Sequence, residues 1–372
     1  MLIIEYLIPF IIILSFIVFI HELGHYYTAK KFGVKIEEFA IGFGKEIWGF
    51  NDKSGTRWKF CIMPLGGYVK MFGDQNIASQ PEQEKKFTKK EKEDSFIFKK
   101  LYQKFLIVFA GPFANYLLAM FILFFLFAIY GISYSSNKIT EVVLDSPASK
   151  AGLLANDRIL EIDGAKINNF NDIQKIIQIN PGIDTKLMIE RNNEIIEKII
   201  TPKIISKQDF LGNETKYAIL GIKSDKVEYK ELSIAEAAQK TFSETLSLTI
   251  LSIKVLKQII LGQRDISDLS GPIKIAKYSG QITKKSLLKD ENGQQNLYLI
   301  FWFIAIISIN LGFINLLPIP ILDGGHLMFY LIEALRGKAV PIKIQEVIYK
   351  ISLIFLVILF IIVSYNDIIS LF

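Results

Sequence analysis

Four apolar segments constrain the fold of this 372-residue chain more than any other feature. A helix needs about 20 apolar residues to cross the hydrocarbon core of a bilayer. The segments are 2–27, 105–137, 292–322 and 351–366, and the second and third contain no charged residue. The chain is 51% hydrophobic with a mean hydropathy of +0.34, which is too apolar for a soluble globule of this size. The sequence therefore predicts an α-helical polytopic membrane protein with four transmembrane helices.

The net charge of +6 follows from the basic residues around these segments. Residues 28–104 hold 16 Lys and Arg against 10 Asp and Glu, and the link between the last two segments holds Arg336, Lys338 and Lys343. Short loops rich in Lys and Arg stay in the cytoplasm, whereas long segments are translocated regardless of charge. We therefore expect both termini and residues 138–290 outside the cytoplasm, and no nucleic-acid partner.

Two regions between the apolar segments are predicted to contain strands. Polar and apolar residues alternate over 57–71, where Gly66 and Gly67 predict short strands joined by a turn, and hence a membrane-associated β-hairpin region. Residues 138–222 alternate turn formers with short β-like runs, which predicts one compact α+β domain. Its predicted elements are strands at 158–162, 186–191 and 195–201 and a helix at 171–179.

Residues 231–263 have helical spacing, with apolar residues recurring along one stripe. Glu244, Lys254 and Lys257 argue against a membrane span in this stretch. The pattern favours an amphipathic helix lying on the membrane surface. The alternative is a helix packed on the outer domain.

The first apolar segment ends in His21-Glu22-Leu23-Gly24-His25, an H-E-x-x-H motif. Each charged group at membrane depth costs about 2.5–3.5 kcal/mol on insertion scales, so a polar cluster there indicates a function. Residues i and i+4 project from one face of a helix, so both imidazoles reach one zinc ion. Glu22 is then placed to take a proton from water. The spacing predicts a catalytic zinc site with His21 and His25 as ligands.

A catalytic zinc needs a third protein ligand. Cys61 is the single cysteine, which excludes a Cys-based site, and Glu37 and Glu38 lie in the cytoplasmic-side loop. Asp323 is the better candidate, because it follows a long charge-free run at a broken helix, where a carboxylate needs a cation. His326 is the rival ligand, for which we expect a structural or supporting role. The residues that predict the break are Pro318, Pro320, Gly324 and Gly325.

Several short motifs together resemble the site-2 protease family of intramembrane zinc metalloproteases, most closely its bacterial regulator-of-sigma-E (RseP-like) type. They occur in the family's order and reach from end to end of the chain. One departure is that the best-known member has two tandem PDZ domains, whereas a single one is expected here. The motifs are HELGH at 21–25, GFG at 42–44, GGYVKMFG at 66–73, AGPFAN at 110–115, SGPIKIA at 270–276 and NLLPIPILDGGHL at 315–327.

The resemblance implies a role for individual residues. His21, His25 and Asp323 are expected to bind Zn²⁺, and Glu22 to be the catalytic acid and base. A helical substrate must unwind before its carbonyls are accessible, and the unwound stretch is expected to add as a strand to residues 57–72. The alternative is that these residues form only a structural hairpin. The expected substrate-binding residues are Asn315, Pro318, Gly66, Gly67 and Tyr68.

The resemblance also implies the activity: hydrolysis of peptide bonds within or near transmembrane segments, in the cell (inner) membrane. Expected substrates are single-span membrane proteins, either an anti-sigma factor or signal-peptide remnants. Residues 136–222 resemble the family's PDZ domain, acting as a size filter or as a groove for C-termini. Two other functions stay open: a non-catalytic membrane PDZ scaffold, which predicts no bound zinc, and a zinc transporter, which needs more polar ligands within the spans.

These interpretations divide the chain into eight parts. The first four are transmembrane helix 1 with H-E-x-x-H (1–29), a cytoplasmic-side loop with a membrane-associated β segment (30–104), transmembrane helix 2 (105–132) and the extracytoplasmic PDZ-like domain (136–222). The last four are the amphipathic helix (231–263), a connector (264–295), transmembrane helix 3 with the L-D-G motif (296–326) and transmembrane helix 4 (345–367).

Overall fold

The computed structural model of the chain describes residues 2–74, 87–208, 214–224, 228–264, 266, 269–288 and 295–369. They belong to two compact units, one of Met1–Leu123 with Ile266–Phe372 and one of Phe124–Asp265. The helices are α1 (Leu2–Lys31), α2 (Lys89–Asp94), α3 (Leu101–Tyr130), α4 (Pro147–Lys150), α5 (Phe170–Gln178), α6 (Ile234–Ile260), α7 (Pro272–Leu287), α8 (Tyr298–Asn315), α9 (Asp323–Arg336) and α10 (Ile342–Ile369). The strands are β1 (Ile36–Asn51), β2 (Arg57–Met71), β3 (Ile132–Tyr134), β4 (Glu141–Val142), β5 (Arg158–Ile162), β6 (Ala165–Lys166), β7 (Thr185–Arg191), β8 (Glu194–Ile200), β9 (Lys203–Gln208), β10 (Glu214–Ile219), β11 (Ile222–Lys223) and β12 (Glu228–Lys230).

Four helices are long and apolar enough to cross a membrane: α1 from Ile4 onward, α3, α8 and α10. Their mean hydropathies lie between 1.9 and 2.8. Most side chains of α10 are exposed although they are apolar, which is expected of a helix that faces lipid. By length and composition, the prediction of four membrane-spanning helices is confirmed.

The third span differs from the sequence prediction at its end. Helix α8 stops at Asn315, and Asp323 begins the separate helix α9. The prolines of the intervening loop have no N–H to continue the helical hydrogen bonds. The sequence predicted that Gly324 and Gly325 break a helix. Instead, both lie in the first turn of α9. A Cβ on Gly324 would lie 2.2 Å from the Leu317 carbonyl oxygen, so these glycines let the loop pack against α9.

Residues 36–71, which follow the first span, form one long hairpin of β1 and β2. The predicted turn at Gly66 and Gly67 is wrong, because both glycines lie inside β2 and the hairpin turns at residues 52–56. Both strands bend back, so that Phe39 pairs with Val69 on one side and with Trp58 on the other. Because of this bending, the alternation of polar and apolar residues does not predict which residues of β1 and β2 pair.

The hairpin packs on the C-terminal half of α1 through aromatic side chains. Phe39 is 1% exposed and stacks on Trp58 at 4.2 Å between ring centroids. Tyr26 of α1 lies edge-on to both rings, at 5.7 Å from Phe39 and 5.1 Å from Trp58. The packing brings β2 next to the face of α1 that carries Glu22: a Cβ on Gly67 would lie 3.1 Å from the Glu22 Cγ.

The second unit contains an antiparallel sheet with strand order β6-β5-β7-β8. Strands β5, β7 and β8 and helix α5 lie within one residue of the predicted strands at 158–162, 186–191 and 195–201 and of the helix predicted at 171–179. The core of this unit includes Ile159, Leu187 and Ile189, all 0% exposed. An Asn169 capping box starts α5, whose apolar face covers this core.

Helix α6 packs within the second unit through a polar face. Glu244 is 2% exposed and accepts hydrogen bonds from Lys175 of α5 and from Lys240 one turn earlier. Gln258 donates to the side chain of Asn180 at 3.0 Å. The predicted apolar stripe lies on the opposite face and is exposed. Its exposed members include Ile234, Phe242, Leu246, Ile250 and Ile253.

Candidate metal centre

Helix α1 places the two histidines of H-E-x-x-H next to each other in its C-terminal half. The His21 and His25 rings are 4.9 Å apart and nearly perpendicular, and their Nε2 atoms are 3.3 Å apart. Both residues and Glu22 are buried. The i, i+4 spacing therefore turns two ring nitrogens toward the same point.

Asp323 completes this cluster from the other end of the chain. Its Oδ2 atom lies 3.1 Å from His21 Nε2 and 3.5 Å from His25 Nε2. Two ligands of a tetrahedral zinc, each about 2.0–2.1 Å from the ion, are about 3.3 Å apart, so this triangle of atoms fits one zinc ion. Among the described residues, no other group of three or more His, Cys, Asp or Glu side chains converges in this way.

Helix α3 holds the outer nitrogen of each histidine ring. His25 Nδ1 is 2.9 Å from the Ile107 carbonyl oxygen, and His21 Nδ1 is 3.2 Å from the amide nitrogen of Asn115. A histidine that binds a metal through Nε2 donates its Nδ1–H to an acceptor, which fixes the tautomer and the ring orientation, and the Ile107 carbonyl is such an acceptor. The inner nitrogens are thereby left directed at Asp323.

Two glycines allow α1 and α3 to approach closely at this point. A Cβ on Gly24 would lie 2.2 Å from the Ala110 carbonyl oxygen. A Cβ on Gly111 would lie 2.2 Å from His25 Nε2 and 2.9 Å from His21 Nε2. Any larger residue at 111 would occupy the space of the ligand atoms.

His326 lies one turn beyond Asp323 but does not join the three converging atoms. Its ring nitrogens are 2.8 and 3.1 Å from the Tyr349 hydroxyl of α10. It lines the same cavity as the cluster, so it lies near the three candidate ligands without being one of them.

Glu37 and Glu38, the alternative carboxylate ligands, make their polar contacts within the hairpin. Glu37 pairs with Lys70 at 3.0 Å, and Glu38 accepts hydrogen bonds from Lys59 and from the Tyr68 hydroxyl. Burial opposes ionisation of Glu38, but the hydrogen bonds from Lys59 and Tyr68 outweigh it and hold the pKa of its carboxyl below the ordinary value. Neither glutamate lines the cavity at the histidines.

A cavity of about 470 Å³ opens beside the cluster. Of the predicted substrate-binding residues, Gly66, Gly67, Tyr68 and Asn315 line it. Pro318 is not among the lining residues and its side chain is exposed. Glu22 also lines the cavity, so its carboxyl shares one space with the three candidate ligands.

Three residues of this site were not assigned a role from the sequence. Asn115 and Gly111 support the histidines, and Phe43 stacks on Tyr68 in the cavity wall at 6.1 Å between ring centroids. The signal for the first two was the motif AGPFAN, where a lone asparagine stands in an otherwise apolar span. Phe43 stands between two glycines, a pattern that marks an unusual backbone without indicating what the ring contacts.

Comparison with known proteins agrees with this geometry. Residues 9–359 match peptidase family M50, and the chain belongs to that family, the site-2 proteases that its motifs resemble. A protein of Rhizobium meliloti (strain 1021) named as a zinc metalloprotease is 36% identical over 371 residues, covering 98% of this chain and 96% of the relative. One from Rickettsia conorii (strain Malish 7), with the same description, is 40% identical over 372 residues, covering 98% and 99%.

A third relative is the metalloprotease MmpA of Caulobacter vibrioides, 32% identical over 376 residues, covering 97% of this chain and 94% of the relative. These relatives and the family make the chain a multi-pass membrane zinc metalloprotease. Enzymes of this family act on membrane proteins in a lipid bilayer. The sequence-based alternatives of a non-catalytic scaffold and a zinc transporter are therefore set aside.

Proposed function

We propose that this zinc metalloprotease cleaves peptide bonds within or near membrane-spanning segments, with His21, His25 and Asp323 holding the zinc and Glu22 moving the proton. The observation that carries the proposal is the convergence of three potential ligand atoms, 3.1 to 3.5 Å apart, from residues about 300 positions apart in the sequence. Three protein ligands leave the fourth position of a tetrahedral zinc for water or substrate, as a catalytic site requires.

Zinc bound at this site supplies the positive charge that polarises the scissile carbonyl and favours ionisation of water. Glu22 lines the cavity next to the ligands, so it is placed to accept the proton of the attacking water. The protonated carboxyl then donates that proton to the leaving amine, as a general acid. One side chain therefore serves as base and then as acid.

Asn315 is positioned to bind the substrate or the developing oxyanion, because its amide is in the last turn of α8 and lines the cavity. Pro318 is exposed and outside the lining. We assign it an indirect role: it keeps α8 from continuing, so that Asn315 stands at the helix end.

Residues Gly66 to Tyr68 are proposed to form the part of β2 along which an unwound substrate lies. This part of β2 pairs with residues 40–41 of β1 and also lines the cavity. An unwound substrate lying along it gains backbone hydrogen bonds, and the glycines leave space for its side chains. Tyr68 is held in place by its hydrogen bond to Glu38 at 2.9 Å.

The proposed orientation rests on the charge of the loops, and the proposed substrates rest on the family resemblance. The basic loops at residues 28–104 and 336–343 favour a cytoplasmic position for those segments. Both termini and the PDZ-like domain at 136–222 then lie outside, in the cell (inner) membrane. We propose single-span proteins, such as an anti-sigma factor or signal-peptide remnants, as substrates. The PDZ-like domain excludes those with large outer domains.

Helix α6 is proposed to lie on the membrane surface. Its polar face is occupied by contacts such as that of Glu244 with Lys175, so its exposed apolar stripe is available to the bilayer. A helix with one apolar face and a charged opposite face binds at the lipid headgroups without crossing.

The test of the catalytic assignment is the substitution Glu22→Gln in the purified full-length enzyme. We expect cleavage of a single-span membrane substrate to fall by at least about 100-fold, because the proton acceptor is lost. Zinc content stays at that of the parent enzyme. His25→Ala removes the zinc as well.

Glu37→Gln is the matched control, because Glu37 is in the hairpin and pairs with Lys70 outside the cavity. It should retain both cleavage and zinc. Substantial cleavage by the zinc-loaded Glu22→Gln enzyme would show that another group moves the proton.

A further inference from the structure

Asn115 is a fully buried polar residue in a membrane-spanning helix, with 0% of its surface exposed. Its amide nitrogen lies 3.2 Å from His21 Nδ1. Its backbone carbonyl accepts a hydrogen bond from the Ser308 hydroxyl of α8 at 2.8 Å. Burying an amide in an apolar segment is costly unless its groups are paired, so this position has a specific function.

The pairing at His21 depends on which nitrogen of the ring carries the proton. His21 Nε2 points toward Asp323, so zinc bound there requires the proton to be on Nδ1. A protonated Nδ1 is a donor and needs an acceptor. The side-chain group at Nδ1 is the Asn115 carboxamide, and only its oxygen is able to accept.

The unsatisfied atom of Asn115 is consistent with this pairing. Its Oδ1 is buried and has no hydrogen-bond partner among the described residues. The oxygen and nitrogen of a carboxamide have nearly the same shape, so the group fits this space in either orientation. Turning it by 180° places the oxygen against His21 Nδ1, and the amide nitrogen then takes the position where the oxygen has no partner.

The two histidines therefore have different kinds of support. His25 Nδ1 is held by the backbone carbonyl of Ile107, which no substitution at residue 107 removes. His21 Nδ1 is held by a side chain, that of Asn115. The support of His21 is thus the one that a single amino-acid change can remove.

We infer that Asn115 is a positioning residue of the metal centre: its carboxamide oxygen accepts the Nδ1 proton of His21 and so presents Nε2 to the zinc. This inference rests on the proposed role of His21 as a zinc ligand. Removing such a supporting group typically weakens metal binding by about 10- to 100-fold.

The test measures the zinc dissociation constant of the purified full-length protein by competition with a chelator. Asn115→Leu keeps the volume but has no acceptor, so it should bind zinc about 10- to 100-fold more weakly. Asn115→Asp restores an acceptor oxygen and should bind within about threefold of the parent. A side chain that only fills space predicts the reverse order, because leucine is easier to bury than a carboxylate.

Ser308→Ala is the matched control, since it removes the hydrogen bond to the Asn115 backbone and leaves the carboxamide in place. It should bind zinc like the parent. Asn115→Ala replaces Asn115→Leu if the leucine variant does not give a monodisperse protein. Parent-like zinc affinity of the variant without an acceptor, or an aspartate variant no better than it, overturns the inference.

His21→Ala separates this inference from the proposed function. If His21→Ala loses zinc while Asn115→Leu keeps it, the metal centre stands and only the role of Asn115 is wrong. If His21→Ala binds zinc like the parent, the proposed centre itself is wrong.

Discussion

Gly111 lies against the edge of the His25 ring that carries Nε2, and a Cβ there would be 2.2 Å from that atom. We predict that Gly111→Ala weakens zinc binding by about 100-fold or more, because the methyl group displaces both histidine nitrogens. Alanine normally stabilises a helix by about 0.4–1 kcal/mol relative to glycine, so helix propensity works against this outcome. Zinc content after dialysis and a chelator titration measure it.

Gly312→Ala is the control for this substitution. It is also a helical glycine at a close approach, but the nearest atoms to its Cβ are 3.1 Å away and belong to Pro112 and Tyr116. It should keep zinc affinity near that of the parent. If the two substitutions lowered zinc affinity equally, the loss of affinity would come from helix packing in general.

His326 is predicted to be dispensable for zinc. His326→Ala and Tyr349→Phe each remove one partner of the same hydrogen bond, which should cost about 1–2 kcal/mol of unfolding free energy. Zinc affinity should stay within roughly threefold of the parent, well below the 10- to 100-fold loss expected for a supporting group. Asp323→Ala, measured alongside, should lose the metal. Loss of zinc from His326→Ala would make it a ligand after all.

Gly66 is predicted to be needed for cleavage and not for zinc. Its φ is +123°, and a Cβ there would be 2.5 Å from the Phe43 ring in the cavity wall. Gly66→Ala should lower the cleavage rate of a membrane substrate by roughly 10- to 100-fold through a small displacement of the substrate strand. Zinc content should not change.

Gly55 provides the comparison for backbone strain alone. It also has a positive φ, +83°, but stands in the hairpin turn with no described atom within 4 Å of its Cβ position. Gly55→Ala should therefore retain most of the cleavage rate. If it is as impaired as Gly66→Ala, the loss reports hairpin strain and not a substrate contact.

Asp52 is predicted to hold the hairpin turn against α1 down to acidic pH. Its carboxylate accepts hydrogen bonds from the Tyr26 hydroxyl at 2.9 Å and the Trp58 indole at 3.2 Å, besides those of Ser54 and Thr56. Partial burial opposes ionisation, but these hydrogen bonds prevail and hold the pKa of Asp52 below its ordinary value. A lowered folded-state pKa means that its stabilising effect is present above about pH 4 and is lost as the pH falls through the folded pKa.

Trp58 fluorescence measures this effect in a protein whose other two tryptophans, Trp48 and Trp302, are replaced by phenylalanine, with chelator present throughout. The signal should be constant from pH 7 to about pH 4 and change below that. In Asp52→Asn the emission should already differ at pH 7. A transition near pH 6 would contradict the assignment to this carboxylate.

Much of the site was predictable from the sequence because its chemistry depends on spacing. His21 and His25 are one helical turn apart, and Asp323 stands out as a carboxylate after a long apolar run. Strands β5, β7 and β8 and helix α5 of the second unit were also predictable, because turn formers bound them. A hairpin was predicted, but the position of its turn was not: Gly66 and Gly67 were predicted to form the turn, whereas their lack of side chains allows close packing against Phe43 and α1.

The role of Asn115 depends on a contact between distant segments, which no local pattern encodes. A lone asparagine in a span signals a polar partner without naming it, and here the partner is a ring nitrogen on another helix. The sequence indicates that Gly324 breaks a helix. In the structure it allows close packing, because the Leu317 carbonyl oxygen lies 2.2 Å from its Cβ position.

The division of the metal centre between the two ends of the chain has a consequence for biosynthesis. The histidines are made first, and Asp323 follows about 300 residues later. At roughly 5–20 residues per second, the ribosome needs about 15 to 60 s to reach it. On the ligand assignment proposed above, the nascent chain holds two of the three ligands during that time. The metal centre is then completed only when synthesis is nearly finished, after the first helices have been made.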